Sequence, residues 1–509
     1  MIDPRTPVIV GVGQTQQRSD DLATVREPID LLADAARAAD ADASATRSVV
    51  DAVDTIAVVQ MVSWHYPDPG SLLGRRLRLD HARRTVTSTT GGNSPQMLVN
   101  VLAAEVAAGR SGVVLLGGAE CVHSRWRARR EPKVWFDWTE DDAPPCAEVI
   151  GDDRPGSSDY ELAHLANAPT TVYPLLETAL RAAAGRDVDA HQRFVAELWS
   201  TFAAVAAENP WAWSREAWSP EQIRTVAPDN RMVTFPYTKR MCANIDVDQA
   251  AAIIMCSYGT AVDLGVPSDR MVFPIAGADA HDHYFVTTRD RLAAAPAIGV
   301  ATRAALAAAG RDVDDIARFD LYSCFPAAVE LSMAAIGLAG PAGGDDRPLT
   351  VTGGLGFAGG PANNYPTHAI ARMVEACRAD PGSSGLVHAL GWYATKHSVG
   401  LYSTDPPAPP DGGGFVRVDP RATQREVDAL PARDVAGPYA GDATIEATSV
   451  VFDRDGTPAV AVVALLTADG RRVLANTSDQ SMMESMTREA WEGRAATIAT
   501  DGDVNRLES

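Results

Sequence analysis

Short apolar runs alternate along the first 405 residues with longer stretches whose apolar positions recur three and four residues apart. The runs predict buried strands and the stretches predict helices. Residues 7–13, PVIVGVG, form an apolar run ending in glycine, and residues 271–277, MVFPIAG, do the same. An alanine-rich helical stretch follows each: PIDLLADAARAADAD and AAPAIGVATRAALAAAG. A helix-to-strand step comes next, at 49–61 and at 312–325. Then a strand enters a glycine turn and a helix, TVTSTTGGNSPQMLVNVLAAEVAAG (85–109) and LTVTGGLGFAGGPANNYPTHAIARMVEAC (349–377). Ser94 and Pro95 mark the start of the first helix. Leu98, Val101, Leu102 and Val106 share one of its faces, as Ile370, Met373, Val374 and Cys377 do in the second. A buried strand closes each series, at 112–120 and 385–392.

Matched elements in one order describe a duplicated chain. The period is far too long for a solenoid. Alternating strands and helices predict two α/β halves with mostly buried sheets. Ligands should then meet the fold at the glycine turns where strands end. Between the halves lies an insertion, about 122–240, holding seven of the ten tryptophans. So long a connection is a binding subdomain or lid, or a helical subdomain packed by its tryptophans. DPPAPPDGGG, 405–414, reads as a linker. The β-rich tail after it carries RDGTP and ADGRR, hairpin turns of the Asp-Gly type, and reads as a separate small domain.

Composition narrows the classes. Hydrophobic residues make up 46% and charged residues 22%, as in an ordinary globular protein. The formal charge of −21 argues against nucleic-acid or anionic-membrane partners. No apolar run approaches the ~20 residues of a membrane span. MIDPRTPVIVGVGQT does not read as a secretory leader. The six cysteines show neither CxxC nor Cys/His ligand spacing. The expectation is a reduced, cytoplasmic protein without a metal site.

The duplicated halves with an insertion after the first resemble the thiolase superfamily over about 1–405. AAEVAAGRSGVVLLGGAE is similar to the helix and strand that follow the thiolase nucleophile. NIDVDQAAAIIMCS, 244–257, is similar to the segment ending the first half, with Gln249 in place of a glycine. Within the superfamily the chain resembles the sterol-carrier-protein type and thiolase-like protein type 1. That branch carries His-Asp-Cys-Phe, and here DLYSCF keeps Cys324 and Phe325 but has Tyr322 and Ser323. The resemblance implies a layered αβαβα thiolase fold. Its first half is 1–121 with 241–265, its inserted loop domain is 122–240, and its second half is 266–404. After the linker, 415–509 resembles the oligonucleotide/oligosaccharide-binding-like β-barrel appended to some relatives.

Condensing or thiolytic chemistry needs a low-pKa cysteine at a strand end, a second acid/base, and an oxyanion site. The nucleophile turn, TSTTGGNSPQ, has no cysteine. Alignment on Thr90-Gly91 puts Ser88 at the nucleophile position, and alignment on Gln96 puts Gly91 there. Thiolases have Gly-His-Pro where this chain has Gly359-Gly360-Pro361, so Gly360 replaces the histidine. Ala389 replaces the cysteine of the Cys-x-Gly turn, with Gly391 retained. The remaining catalytic candidates are Cys324, Tyr322, Ser88 and His397, which follows Lys396. Gly359, Gly360, Gly91 and Gly92 are candidates to hold a ligand through backbone N–H groups. Cys121 lies after the strand and is not the nucleophile. Asp246 and Asp248 brace the half-boundary, and His281 and His283 read as a solvated turn.

Three functions follow from the resemblance. One is a protein that binds CoA or acyl-CoA, with no covalently bound cofactor and no ordinary thiolase turnover. Another is an active acetyl-CoA acetyltransferase using altered residues. The third is a scaffold recruiting a partner protein through the trailing β domain. Thiolases dimerise through the strand leading to the nucleophile turn; here RRTVTST is short and polar, so monomer and dimer both stay open.

Overall fold

The computed structural model describes residues 2–131, 136–140, 142–407 and 414–508. Part of the expected linker, 408–413, lies outside the described residues. The first sheet is built from β1 (Pro7–Gln16), β2 (Thr55–Val58), β3 (Arg84–Ser88), β4 (Val113–Cys121), β5 (Val149–Ile150) and β8 (Asp248–Ser257), in the order β1-β8-β4-β2-β3-β5. The second contains β9 (Phe273–His281), β10 (Arg318–Leu321), β11 (Ser384–Gly391), β12 (Lys396–Ser403) and β13 (Val416–Arg417), in the order β10-β11-β12-β9-β13.

The duplication is visible in the pairings. β2–β4 is parallel, and β4–β8 and β8–β1 are antiparallel. β10–β11 is likewise parallel, and β11–β12 and β12–β9 are antiparallel. The helices Ser94–Ala107 and Tyr365–Ala379 touch each other and both sheets, forming the middle layer. Pro28–Ala43 covers the first sheet and Pro296–Ala309 the second, which completes the expected αβαβα layering. β8 and β11 are buried along nearly their whole length, as unbroken apolar runs require when both sheet faces are covered.

Three segments depart from the expected organisation. Residues 349–353 do not enter a ladder. The buried carboxylate of Asp320 takes the N–H groups of Val351 and Thr352 and the hydroxyls of Thr350, Thr352 and Tyr365 instead. The insertion supplies β5, which pairs with β3 through Thr87–Val149 and Ser88–Ile150 and covers that sheet edge. Beyond the linker, β13 adds to the second sheet beside β9, so the chain after 414 first continues the second half.

The tail is a small β domain with a core of its own around Ile445, Val463 and Leu465, and it is also fastened to the rest of the chain. β14 (Gly441–Phe452), β15 (Pro458–Leu466), β16 (Arg472–Thr477), β17 (Ala495–Asp501) and β18 (Val504–Leu507) pair as the cycle β14-β15-β16-β18-β17-β14, with the helix Gln480–Met486 between β16 and β17. Both Asp-Gly segments close antiparallel hairpins, β14–β15 and β15–β16. β6 (Met232–Phe235) and β7 (Tyr237–Thr238), both from the insertion, extend the sheet from β14. Buried polar contacts weld the two. Arg181 pairs with Glu492, both side chains 5% exposed. Thr178 exchanges hydrogen bonds with the backbone of Thr448, and the Asn505 N–H donates to His164 Nε2 at 3.0 Å. Arg472, 1% exposed, grips Glu446 bidentately at 2.7 Å and donates to the carbonyls of Thr287, Arg289 and Asp290 in the second half.

Among the described residues no helix is long and apolar enough to cross a membrane. Removing the Arg472 guanidinium strands a buried carboxylate and three carbonyls. Arg472→Ala should cost about 3–5 kcal/mol, read as a lowered urea midpoint. An unchanged midpoint would show that the tail is held in some other way.

Candidate functional site

The turn after β3 runs from Thr89 to Asn93 and opens onto the helix at Ser94. Ser88 is buried, and its Oγ accepts the Gln60 N–H at 3.1 Å. No base is among its hydrogen-bond partners in the described residues, so it is not an activated nucleophile. The other frame is closed by packing. A Cβ on Gly92 would lie 2.2 Å from the Tyr322 hydroxyl and 2.5 Å from the Leu390 carbonyl oxygen. A Cβ on Gly91 would lie 2.6 Å from Asn93 Oδ1 and 2.9 Å from Lys396 Nζ. The volume a nucleophilic side chain would need is filled by a tyrosine and a lysine.

Lys396 was not among the residues singled out from sequence, yet it is central. Its ammonium donates to the carbonyls of Thr90 (2.6 Å) and Asp152 (2.9 Å) and sits 5.6 Å from the Trp392 ring. Burial pulls its pKa from 10.5 down to about 8. One signal was available: only three of the 45 basic Lys and Arg residues are lysines, and this one comes shortly after the strand that closes the second repeat.

Two of the four backbone N–H groups expected to cradle a ligand are turned into the fold. The Gly91 N–H donates to Asn363 Oδ1 at 3.0 Å, and the Gly360 N–H donates to Asn244 O at 2.8 Å. Both groups are used inside the fold. Gly359 has φ +112°, and a Cβ there would meet Gln249 Oε1 at 2.2 Å. Gln249, which stands where the family has glycine, donates to the carbonyls of Ala358 (3.0 Å) and Trp211 (3.2 Å). It stitches the turn to the insertion. Gly360 is different: a Cβ would find its nearest neighbour at 3.3 Å, at an ordinary φ. The missing histidine is therefore not explained by lack of room for its Cβ.

The other candidates are dispersed. Tyr322 is buried edge-on to Tyr365, ring centroids 5.5 Å apart, and burial holds its pKa well above the usual phenol value. It faces Gly92, so it does reach the old nucleophile turn. Cys324 lies beside the Tyr173 hydroxyl, and burial pushes its thiol up to about 12. Cys324 therefore stays a neutral thiol near pH 7. His397 is directed away from the turn. Successive side chains of a strand point to opposite faces, and while Lys396 faces Thr90, His397 pairs with Asp282 (3.1 Å) and with His388 (3.1 Å). It is a buried, hydrogen-bonded imidazole. Ala389 is wholly buried in β11.

What does open to solvent near the turn is a cavity of about 530 Å³ at the C-terminal ends of β2 and β3. Trp64, Tyr66 and Trp392 give it aromatic walls, and Gln60, Met61 and Ser88 line its inner side. Tyr66 is fixed by donating to Glu27 at 2.9 Å. The helix Val122–Arg130 carries Arg125, Arg127, Arg129 and Arg130, and Arg125 stands 5.6 Å from the Trp64 ring. In so acidic a chain this is a concentrated positive segment.

These geometries make two predictions. Gly359→Ala should lower the melting midpoint sharply and Gly360→Ala only slightly, as followed by circular dichroism; equal losses would contradict the packing described. Lys396 loses its proton more readily in the folded chain than in the unfolded one. Its buried charge therefore costs stability fully below pH ~8, and stability rises as pH climbs from about 8 to 10.5. Lys396→Met should remove that rise from the pH dependence of the urea midpoint. A Lys396 titrating near 10.5 by NMR of methylated lysines would refute it.

A family model for the thiolase-like protein type 1 additional C-terminal domain matches residues 422–503. No curated protein sequence matches the chain. A monomeric SCP2-thiolase-like protein type 1 from Mycobacterium smegmatis is 34% identical, with full coverage of both chains and a TM-score of 0.85. The Ltp2-ChsH2(DUF35) aldolase is 18% identical over 79% of this chain and 99% of that one, TM-score 0.59. The dimeric peroxisomal thiolase of Saccharomyces cerevisiae is 12% identical over 79% and 98%, TM-score 0.56. The last two show the shared thiolase fold alone. With whole-length identity to the first and the matching trailing domain, this chain belongs to the SCP2-thiolase-like protein type 1 family.

Proposed function

We propose that this chain binds CoA or an acyl-CoA in the cavity at the ends of β2 and β3 and does not carry out ordinary thiolysis. The observation that carries the reading is the filled nucleophile site. Tyr322 and Lys396 occupy the room beside Gly92 and Gly91, and Gly360 and Ala389 stand where an acid/base histidine and cysteine would act. A cavity of about 530 Å³ is within the range of small-molecule sites. Its Trp64 and Trp392 faces suit an apolar acyl or pantetheine segment, which they would desolvate without bonding to it. The helix Val122–Arg130, whose Arg125 stands beside the Trp64 ring, brings positive charge to the aromatic wall for the phosphates of CoA. Gln60, whose Oε1 accepts the Thr90 hydroxyl at 2.7 Å, is placed to orient a thioester or amide group.

We further propose that the chain is a monomer. A thiolase-type dimer needs the outer edge of β3, and β5 already takes its hydrogen bonds: Thr87 N–H donates to Glu148 O at 2.9 Å and Thr89 N–H to Ile150 O at 3.0 Å. Arg84 fixes this cover by pairing with Glu148 at 2.6 Å and with Glu105.

The test is calorimetric titration with CoA, acetyl-CoA and a long-chain acyl-CoA, with acetoacetyl-CoA thiolysis assayed on the same sample. Binding without turnover is expected, with Trp64→Ala weakening it roughly tenfold or more. Turnover abolished by Cys324→Ala would mean an acyltransferase with altered residues. Absence of binding to all three ligands would refute the acyl-CoA reading.

A further inference from the structure

Away from the cavity, three helices bring two buried glutamates and a buried histidine together. Glu177 comes from Pro169–Ala183 and His191 from Val188–Glu208, both in the insertion. Glu330 comes from Pro326–Ile336 in the second half. One donor atom of each lies within 4.8 Å of the other two. Glu177 Oε1 meets His191 Nε2 at 2.6 Å, and the Tyr237 hydroxyl donates to Glu177 Oε2 at 2.5 Å. The Glu177 side chain is fully buried, His191 is 2% exposed and Glu330 9%.

The charges do not close. Two carboxyl groups are withdrawn from water, and among the described residues the guanidinium paired with Glu330 is that of Arg186, 3.8 Å away, 31% exposed and shared with His191 Nδ1 at 3.4 Å. Burying a second carboxylate without a close partner is expensive. Moreover, Glu330 Oε1 is buried with no hydrogen-bond partner. Buried polar atoms are seldom left so. An unsatisfied oxygen beside a carboxylate and an imidazole is the donor set that borderline divalent ions take.

We propose that Glu177, His191 and Glu330 form a binding site for a divalent transition-metal ion of the Zn²⁺ or Mn²⁺ class. The ion would be held by two carboxylate oxygens and one imidazole nitrogen. Occupancy replaces the His191–Glu177 hydrogen bond, so the two atoms separate by a few tenths of an ångström, and Arg186, whose Nη1 lies 3.4 Å from His191 Nδ1, moves off that nitrogen, which then carries the imidazole proton. Tyr237 orients Glu177 by its hydrogen bond, as outer partners of metal ligands do. The site joins the insertion to the second half directly below Phe325, which packs on Tyr173 (4.8 Å) and Tyr237 (5.2 Å). Its effect is thus structural, fixing the insertion on the core. It stands independently of the acyl-CoA reading, since none of its ligands lines that cavity.

The experiment uses the full chain. Protein purified without chelator is dialysed, and its metal content is read by plasma mass spectrometry. Zn²⁺ and Mn²⁺ are then titrated into chelator-treated protein while the melting midpoint and heat are followed. The expected result is one ion per chain, a raised midpoint, and roughly 100-fold weaker binding in both Glu330→Gln and His191→Asn. Circular dichroism of the two variants in chelator shows whether they fold. No retained ion together with a midpoint indifferent to both metals would overturn the proposal and leave a proton-sharing carboxyl pair. Equal metal binding by the wild type and the folded variants would also overturn it, by placing the ion elsewhere.

Discussion

The structure around the old nucleophile turn depends on one buried cation. Lys396 spans from β12 to the carbonyls of Thr90 and Asp152, and so ties the last core strand, the turn and the insertion together. A buried ammonium demands such acceptors. Once they are supplied, the space next to Gly91 is taken. Tyr322 closes the adjoining space at Gly92. A Cβ on Gly91 would need the ends of Lys396 and Asn93 to move, so the lysine occupies the room beside this glycine. The same holds at the second turn. Gln249 fills the place beside Gly359 and spends its amide on the Ala358 and Trp211 carbonyls. Groups that would otherwise face a ligand are used to hold the fold.

The core was legible because its signals are local and repeated. Apolar runs and helical periodicity appear twice in one order, and the pairings of the two sheets follow them strand for strand. The failures share a cause: each depends on a partner distant in sequence. LTVTGG has the pattern of a strand, but a ladder is lost where the Asp320 carboxylate supplies five acceptor contacts from thirty residues away. Nothing in the two residues Val149 and Ile150 announces an edge strand until β3 is beside them. The tail looked separable because Pro and Gly precede it. Its attachments are single buried groups, Arg472, Arg181 and Asn505, that ordinary surface composition conceals.

The site was legible in part. Substitution at Gly360 and Ala389 and the absence of a cysteine could be read directly, and these motivate the proposal that ordinary thiolysis is absent. The role of what remains could not. Cys324 keeps the motif's identity, but its reactivity is set by solvation, and the thiol is pushed to about 12 by burial beside Tyr173. His397 and Lys396 are neighbours in sequence and occupy opposite faces of one strand, so proximity in the chain favoured the wrong residue of the pair. The aromatic cavity draws Trp64, Tyr66 and Trp392 from segments more than 300 residues apart, which no linear motif joins.

The insertion links these observations. Its β5 covers the edge through which a thiolase dimer would form, its β6 and β7 continue the sheet of the tail, and its helices carry Glu177 and His191 to Glu330. A chain whose own insertion occupies that edge must anchor the insertion firmly, because β5 contributes only two paired residues. The buried Arg181–Glu492 pair and the threonine exchange with Thr448 provide that anchor on the side of the tail. The tail is in turn fastened to the second half by Arg472. Edge cover, insertion and trailing domain therefore form one closed circuit of contacts. The trailing domain keeps a core of its own, and single buried groups bind it into this circuit.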